Sequence, residues 1–113
     1  MDNLNHDDAA SEHLAATAED LAGALVLDVR RTAAFEQADT MIPGAQWRDP
    51  AQLDAWSGQL PKDKPVVVYC VHGHQVSRGA ALQLHAAGID ARFLRGGIED
   101  WKAAGRPLVP KQR

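Results

Sequence analysis

The chain has 113 residues, enough for one domain with a single core and too few for two. A formal net charge of −3, with 45% hydrophobic and 24% charged residues, is ordinary for a soluble globular protein and argues against nucleic-acid or anionic-membrane partners. No apolar run approaches the roughly 18 residues of a membrane span.

The N-terminal stretch Met1-Asp2-Asn3-Leu4-Asn5-His6 lacks the basic and apolar regions of a secretory signal. The single cysteine cannot form an internal disulfide, so nothing requires an oxidising compartment and a cytoplasmic location is the expectation. Seven acids, from Asp2 to Asp28, precede the first basic residue, Arg30. Residues 1–15 accordingly read as a flexible acidic leader, 16–109 as the folded domain and 110–113 as a tail.

In chain order, Thr17 and Asp20 match a capping box and open a short helix over 18–22. Residues 24–29 form an apolar strand that ends at Asp28 and Arg30, and 32–38 make one or two helical turns with Phe35 inward. Ile42-Pro43-Gly44-Ala45 turns into a short strand around 45–47, and 50–57 is a short helix, with Pro50 in its first turn, that buries Leu53 and Trp56. The uninterrupted Val66-Val67-Val68-Tyr69 predicts a central strand buried on both faces. After a loop around Gly73, Val76, Ala80, Ala81 and Leu84 recur at helical spacing until Gly88 stops the helix. Residues 91–94 are the next strand, and Gly96-Gly97 turns into a last helix that buries Ile98 and Trp101. Strands alternating with helices predict an α/β fold, an open and mostly parallel sheet of about five strands flanked by helices. In such sheets the site lies at the carboxyl ends of the strands, where Cys70, Asp28 and Arg30 fall.

Cys70 is the candidate nucleophile. A thiol between a strand end and a helix start faces backbone N–H groups and a helix dipole that favour negative charge, hence the reactive thiolate. Val71, His72, Gly73, His74, Gln75 and Val76 form the candidate substrate-binding loop, whose amides are expected to cradle the sulfur. His72 and His74 either add positive potential for an anion or are simply solvated.

Four stretches carry a resemblance: Leu27-Asp28-Val29-Arg30; Ile42-Pro43-Gly44-Ala45; Tyr69-Cys70-Val71-His72-Gly73-His74; and Leu94-Arg95-Gly96-Gly97-Ile98, followed by Trp101 and Ala104-Gly105-Arg106-Pro107. In this order they make the chain resemble a single-domain rhodanese, a sulfurtransferase of the rhodanese homology family. The resemblance implies a rhodanese-like fold without cofactor or metal. It implies transfer of a sulfane sulfur from a small anionic donor such as thiosulfate, through a persulfide on Cys70, to cyanide or a thiol. A sulfur-carrier or thioredoxin-like protein is a compatible partner. By the same resemblance Asp28 and Arg30 brace the active-site loop or its surroundings, either as a structural salt bridge or in direct catalysis, and Arg78 either holds an anion or pairs with an acid. Trp47 and Arg48 are expected at the pocket mouth. One departure stands out: Thr40-Met41 occupies the place where the family commonly has Gly-His.

Other functions fit less well. A phosphatase or arsenate reductase of the Cys-x5-Arg type needs arginine where this chain has Val76. A thioredoxin-like oxidoreductase needs a second cysteine. Cys70, His72 and His74 crowd three donors into five residues, poor spacing for a tetrahedral metal. A non-enzymatic rhodanese-like module that binds a partner or senses an anion is the main alternative to the enzyme.

Overall fold

A computed structural model of the chain describes residues 10–112. Its centre is strand β5 (Val66–Tyr69), in which four consecutive residues are buried. Side chains alternate across a strand, so Val66 and Val68 enter one apolar cluster while Val67 and Tyr69 enter another on the opposite face. This double burial is why the run carries no polar alternation. Each such aliphatic side chain contributes roughly 1.5–3 kcal/mol.

Around β5 stand β1 (Ala15–Ala16), β2 (Leu25–Asp28), β4 (Gln46–Trp47) and β6 (Ala91–Leu94), in the order β1-β6-β5-β2-β4 and all parallel. A separate antiparallel pair joins β3 (Thr40–Met41) to β7 (Val109–Pro110). The helices are α1 (Thr32–Gln37), α2 (Leu53–Trp56), α3 (Gln75–Ala86) and α4 (Gly97–Ala103). One face of the sheet packs on Ala80, Ala81 and Leu84 of α3 with Leu53 and Trp56 of α2. The other packs on Ile98 and Trp101 of α4 with Ile42. The open, mostly parallel five-stranded α/β sheet expected from the sequence is the observed one. Among the described residues, no helix is long and apolar enough to cross a membrane.

Local signals explain the element ends. The capping box at Thr17 is formed in both directions, with Asp20 accepting the Thr17 N–H at 2.9 Å, although the turn it opens, Ala18–Leu21, is a 3₁₀ helix. Helix α3 closes where Gly88 N–H meets His85 C=O at 3.0 Å and Ile89 N–H meets Leu84 C=O at 3.1 Å.

Both chain ends differ from the sequence expectation. The leader expected over 1–15 does not extend that far: Ser11 and Leu14 are buried, Glu12–Leu14 is a 3₁₀ turn, and Ala15 already pairs with Phe93 in the sheet. Its first nine residues lie outside the described part. The expected tail at 110–113 also packs back, with Lys111 N–H on Asp39 C=O at 2.9 Å and its ammonium on the Phe35 and Glu36 carbonyls. Residue 113 lies outside the described part.

Candidate active site

Cys70 directly follows the central strand and is 6% exposed. Its sulfur lies 3.1 Å from the Ser77 hydroxyl, in the first turn of the twelve-residue helix α3. Arg78 is the first residue of that turn whose N–H reaches a backbone acceptor, His74 C=O at 3.0 Å. The N–H groups just before it belong to the unpaired start that every α-helix presents toward its N-terminus. The thiol therefore sits at the positive end of a helix dipole with a hydroxyl to hold it. As a thiol, Cys70 donates to Ser77; as a thiolate it accepts the Ser77 proton.

The loop from Val71 to His74 is held by the opposite crossover. Ile98 N–H and Glu99 N–H, at the start of α4, donate to Cys70 C=O and Val71 C=O, both at 3.0 Å. Gly73 and Gly97 make this approach possible. At Gly73, with φ +75°, a Cβ would lie 2.6 Å from Gly96 N; at Gly97, with φ +61°, it would lie 2.6 Å from Cys70 O. No side chain fits at either position. Gly97, which the sequence suggests only as a turn residue, is thus part of the wall behind the nucleophile.

Cys70, Val71, His72, His74, Gln75 and Val76 line one cavity of 210 Å³ with Arg30, Arg31 and Ala34. His72 and His74 stand exposed at its rim, and Gly73 is buried beneath. Trp47 and Arg48, expected at the mouth, are not among its walls: Trp47 stacks on Phe35 at 4.9 Å and donates to Arg30 C=O at 2.9 Å, while Arg48 binds Gln46 at 2.8 Å.

Asp28 is wholly buried and does not touch the cavity. Arg30 Nε contacts both its oxygens at 3.0 Å and Nη2 reaches Oδ2 at 2.6 Å, a bidentate pair. Arg30 also donates to Thr40 C=O at 3.1 Å, and its guanidinium lies over the Phe35 and Tyr69 rings. Tyr69, opposite Asp28 in the parallel register, donates its hydroxyl to Asp28 Oδ2 at 3.0 Å and accepts Ile42 N–H at 3.2 Å. Burial first, then the Asp28 charge, pushes the Tyr69 phenol well above its ordinary value, so it stays neutral. Burial opposes the charge on Arg30, but the bonds and charge of Asp28 outweigh it and raise the guanidinium's value. The pair is a buried structural salt bridge, with Arg30 also on the wall of the Cys70 cavity.

Arg78 is a brace. It is buried, stacks 4.4 Å over Phe93, donates to Gly73 C=O at 3.0 Å and pairs with Glu12 at 3.1 Å. Glu12 pairs as well with Arg95. Bonds from Arg95 and then Arg78 hold the Glu12 carboxyl below its ordinary value.

Ser77 and Glu12 are the residues that the motif reading missed. Ser77 carried a usable signal: it stands three, four and seven residues before Ala80, Ala81 and Leu84, on the buried stripe of α3. A hydroxyl on that stripe at the helix start points at the cysteine loop. Glu12 carried no such signal, because its partners are 66 and 83 residues away.

The comparisons agree with this geometry. The family model for the rhodanese-like domain matches residues 9–104. A sulfurtransferase of Allochromatium vinosum is 32% identical over 99 residues, 88% of this chain and 91% of that protein. The thiosulfate sulfurtransferase GlpE of Coxiella burnetii is 36% identical over 80 residues, 70% of this chain and 72% of its own length. Among solved structures, a rhodanese-related protein from Thermoplasma volcanium superposes with a TM-score of 0.74 at 27% identity, over 84% of this chain and 96% of its own. With four ordered motifs, a parallel sheet and a cysteine loop at the end of its central strand, the chain belongs to the rhodanese-like domain family.

Proposed function

We propose that the protein is a sulfurtransferase that carries a sulfane sulfur as a persulfide on Cys70. The observation that carries this reading is the placement of the chain's one thiol, in a small cavity, with its sulfur 3.1 Å from a hydroxyl in the first turn of α3. A helix start and a hydroxyl beside the sulfur are groups that can stabilise negative charge on the attacking sulfur and on the persulfide alike.

In the first half-reaction the Cys70 thiolate attacks the outer sulfur of thiosulfate. The sulfur–sulfur bond of the donor breaks, its electron pair leaves with sulfite, and Cys70 keeps the terminal sulfur. In the second, cyanide attacks that terminal sulfur, thiocyanate leaves, and the electron pair returns to Cys70. No proton need move and no oxidant is consumed. The cavity of 210 Å³ suits a small anion, and the rim histidines with Arg31 are the groups on hand to attract one.

Cys70→Ser should abolish thiosulfate:cyanide transfer and prevent uptake of one sulfur atom, read by intact-mass spectrometry, while leaving the thermal transition near that of the parent. Retained turnover in that variant would exclude the covalent mechanism. Ser77→Ala should slow sulfur loading about tenfold, the loss of one hydrogen bond to a charged group. Single-turnover kinetics with thiosulfate would measure it, and an unchanged loading rate would remove Ser77 from the mechanism. A non-enzymatic module is excluded by turnover and supported if the parent takes up no sulfur.

A further inference from the structure

One wall of the Cys70 cavity comes from a helix too short to hold its own place. Ala34 of α1 and Arg31, the residue just before it, line the cavity beside Arg30. The six residues of α1, Thr32–Gln37, fall well below the roughly 12–15 that an isolated helix needs in water. No side chain caps its start, and its last turn has no basic residue to meet the negative end of the dipole. The position of this wall is therefore set from outside the helix.

Lys111 supplies what α1 lacks. Its ammonium donates to Phe35 C=O and Glu36 C=O, both at 2.9 Å, and lies 4.9 Å from the centre of the Phe35 ring. These carbonyls are among the last four of the helix, which have no α-helical partners. Phe35 is fully buried, and the Arg30 guanidinium lies 5.5 Å from the same ring. Just before Lys111, Val109 and Pro110 pair with β3, where Thr40 C=O accepts from Arg30. Three consecutive residues thus hold the supports of both arginines in the cavity wall. Lys111 itself does not line the cavity.

We propose that Lys111 is a positioning residue for the anion bound at Cys70: by gripping the carbonyl end of α1 it keeps Arg31 at the cavity. That the anion is a sulfur donor rests on the sulfur-transfer reading above. Cys70 and Ser77 stand at the end of β5 and on α3, which Lys111 does not touch, so its effect falls on binding of the anion and not on attack by the sulfur.

Lys111→Met keeps an aliphatic stem over Phe35 and removes the ammonium; Lys111→Gln is a second neutral variant, and Lys111→Arg restores a cation. Loading of Cys70 by thiosulfate is followed in single turnover across donor concentration. The half-saturating concentration should rise about tenfold in both neutral variants, as for loss of a charge-assisted hydrogen bond, with the rate at saturation near the parent's. Lys111→Arg should restore most of that loss. Repeating Lys111→Met in Arg31→Gln separates positioning from the mere loss of a charge: it should add nothing there. An unchanged half-saturation, a fall confined to the saturating rate, or the same rise in both backgrounds overturns the proposal. Alkylation of Cys70 by iodoacetate relative to iodoacetamide reads the same wall without sulfur. The preference for the anionic reagent should fall in Lys111→Met only where Arg31 is present. A parent that takes up no sulfur yet shows this alkylation pattern overturns the sulfurtransferase reading and upholds the role of Lys111.

Discussion

Two arginine–carboxylate clusters flank the Cys70 loop, and they do opposite work with the same chemistry. On one side, Asp28, Arg30 and Tyr69 are almost completely enclosed and tie β2, β5 and the Thr40 carbonyl together. On the other, Arg78 is buried against Phe93 but its partner Glu12 is half in solvent, as is Arg95. The first cluster fixes the strand ends on which the loop is built. The second grips the loop itself, through Gly73 C=O, from a turn near the start of the chain. Burial decides the energetics: a buried pair is costly to break, whereas an exposed one is screened and weak.

The largest contrast should come from breaking the buried pair. Asp28→Asn leaves Arg30 charged and enclosed without its counter-ion, which costs about 3–5 kcal/mol. Urea unfolding should show that loss, while the material still folded should turn over thiosulfate at a kcat close to the parent's, because Asp28 does not line the cavity. A collapse of kcat with unchanged stability would make Asp28 catalytic and end the comparison. The double variant Asp28→Asn/Arg30→Met should recover part of the loss, since the stranded charge is gone.

Tyr69 sharpens the same cluster by pH. It is the chain's one tyrosine, so phenolate absorbance reports on it alone. Its folded value is raised by burial and by Asp28 above the ordinary 10.0. A raised value stabilises fully below the unfolded value, and that stability is lost as pH climbs toward the folded one. Phenolate absorbance should therefore appear together with loss of the native fold and not before it. Gradual ionisation near pH 10 in folded protein would contradict the enclosure. Tyr69→Phe leaves Ile42 N–H and one Asp28 lone pair unmet, and should cost about 1–3 kcal/mol.

The difference between the clusters also marks what was legible in the sequence. Asp28 and Arg30 sit two residues apart at the end of an apolar run, and Tyr69 closes another, so their meeting follows from pairing two parallel strands in register. The central strand, the long helix and the cysteine loop were legible for the same reason: continuous apolar runs, helical spacing and glycine punctuation are local. Strands β1, β3 and β7 were not, because two residues carry no periodicity and each finds its partner far along the chain. Glu12 was lost inside an acidic stretch whose composition looks solvated. Its role depends on Ala15 and Ala16 adding to the sheet edge beside β6, which swings Glu12 over Arg78 and Arg95.

The smallest effect is expected at that exposed clamp. Glu12 is held below its ordinary value near 4.5 by Arg95 and Arg78. A lowered carboxyl value contributes stability above the unfolded value, which fades as pH falls through the folded one. At neutral pH Glu12→Gln should lower the unfolding midpoint less than Tyr69→Phe does, and added salt should bring the parent toward the variant without moving the variant. The local readout is more discriminating. In the parent, the Arg78 Nε–H and Gly73 amide signals should shift together in the NMR spectrum as pH is taken below 4.5, because protonating Glu12 loosens the guanidinium that holds Gly73 C=O. In Glu12→Gln those signals should stay flat over the same range. If both proteins titrate alike, the grip on the loop comes from Arg78 and Phe93 alone, and the N-terminal turn merely rests against it.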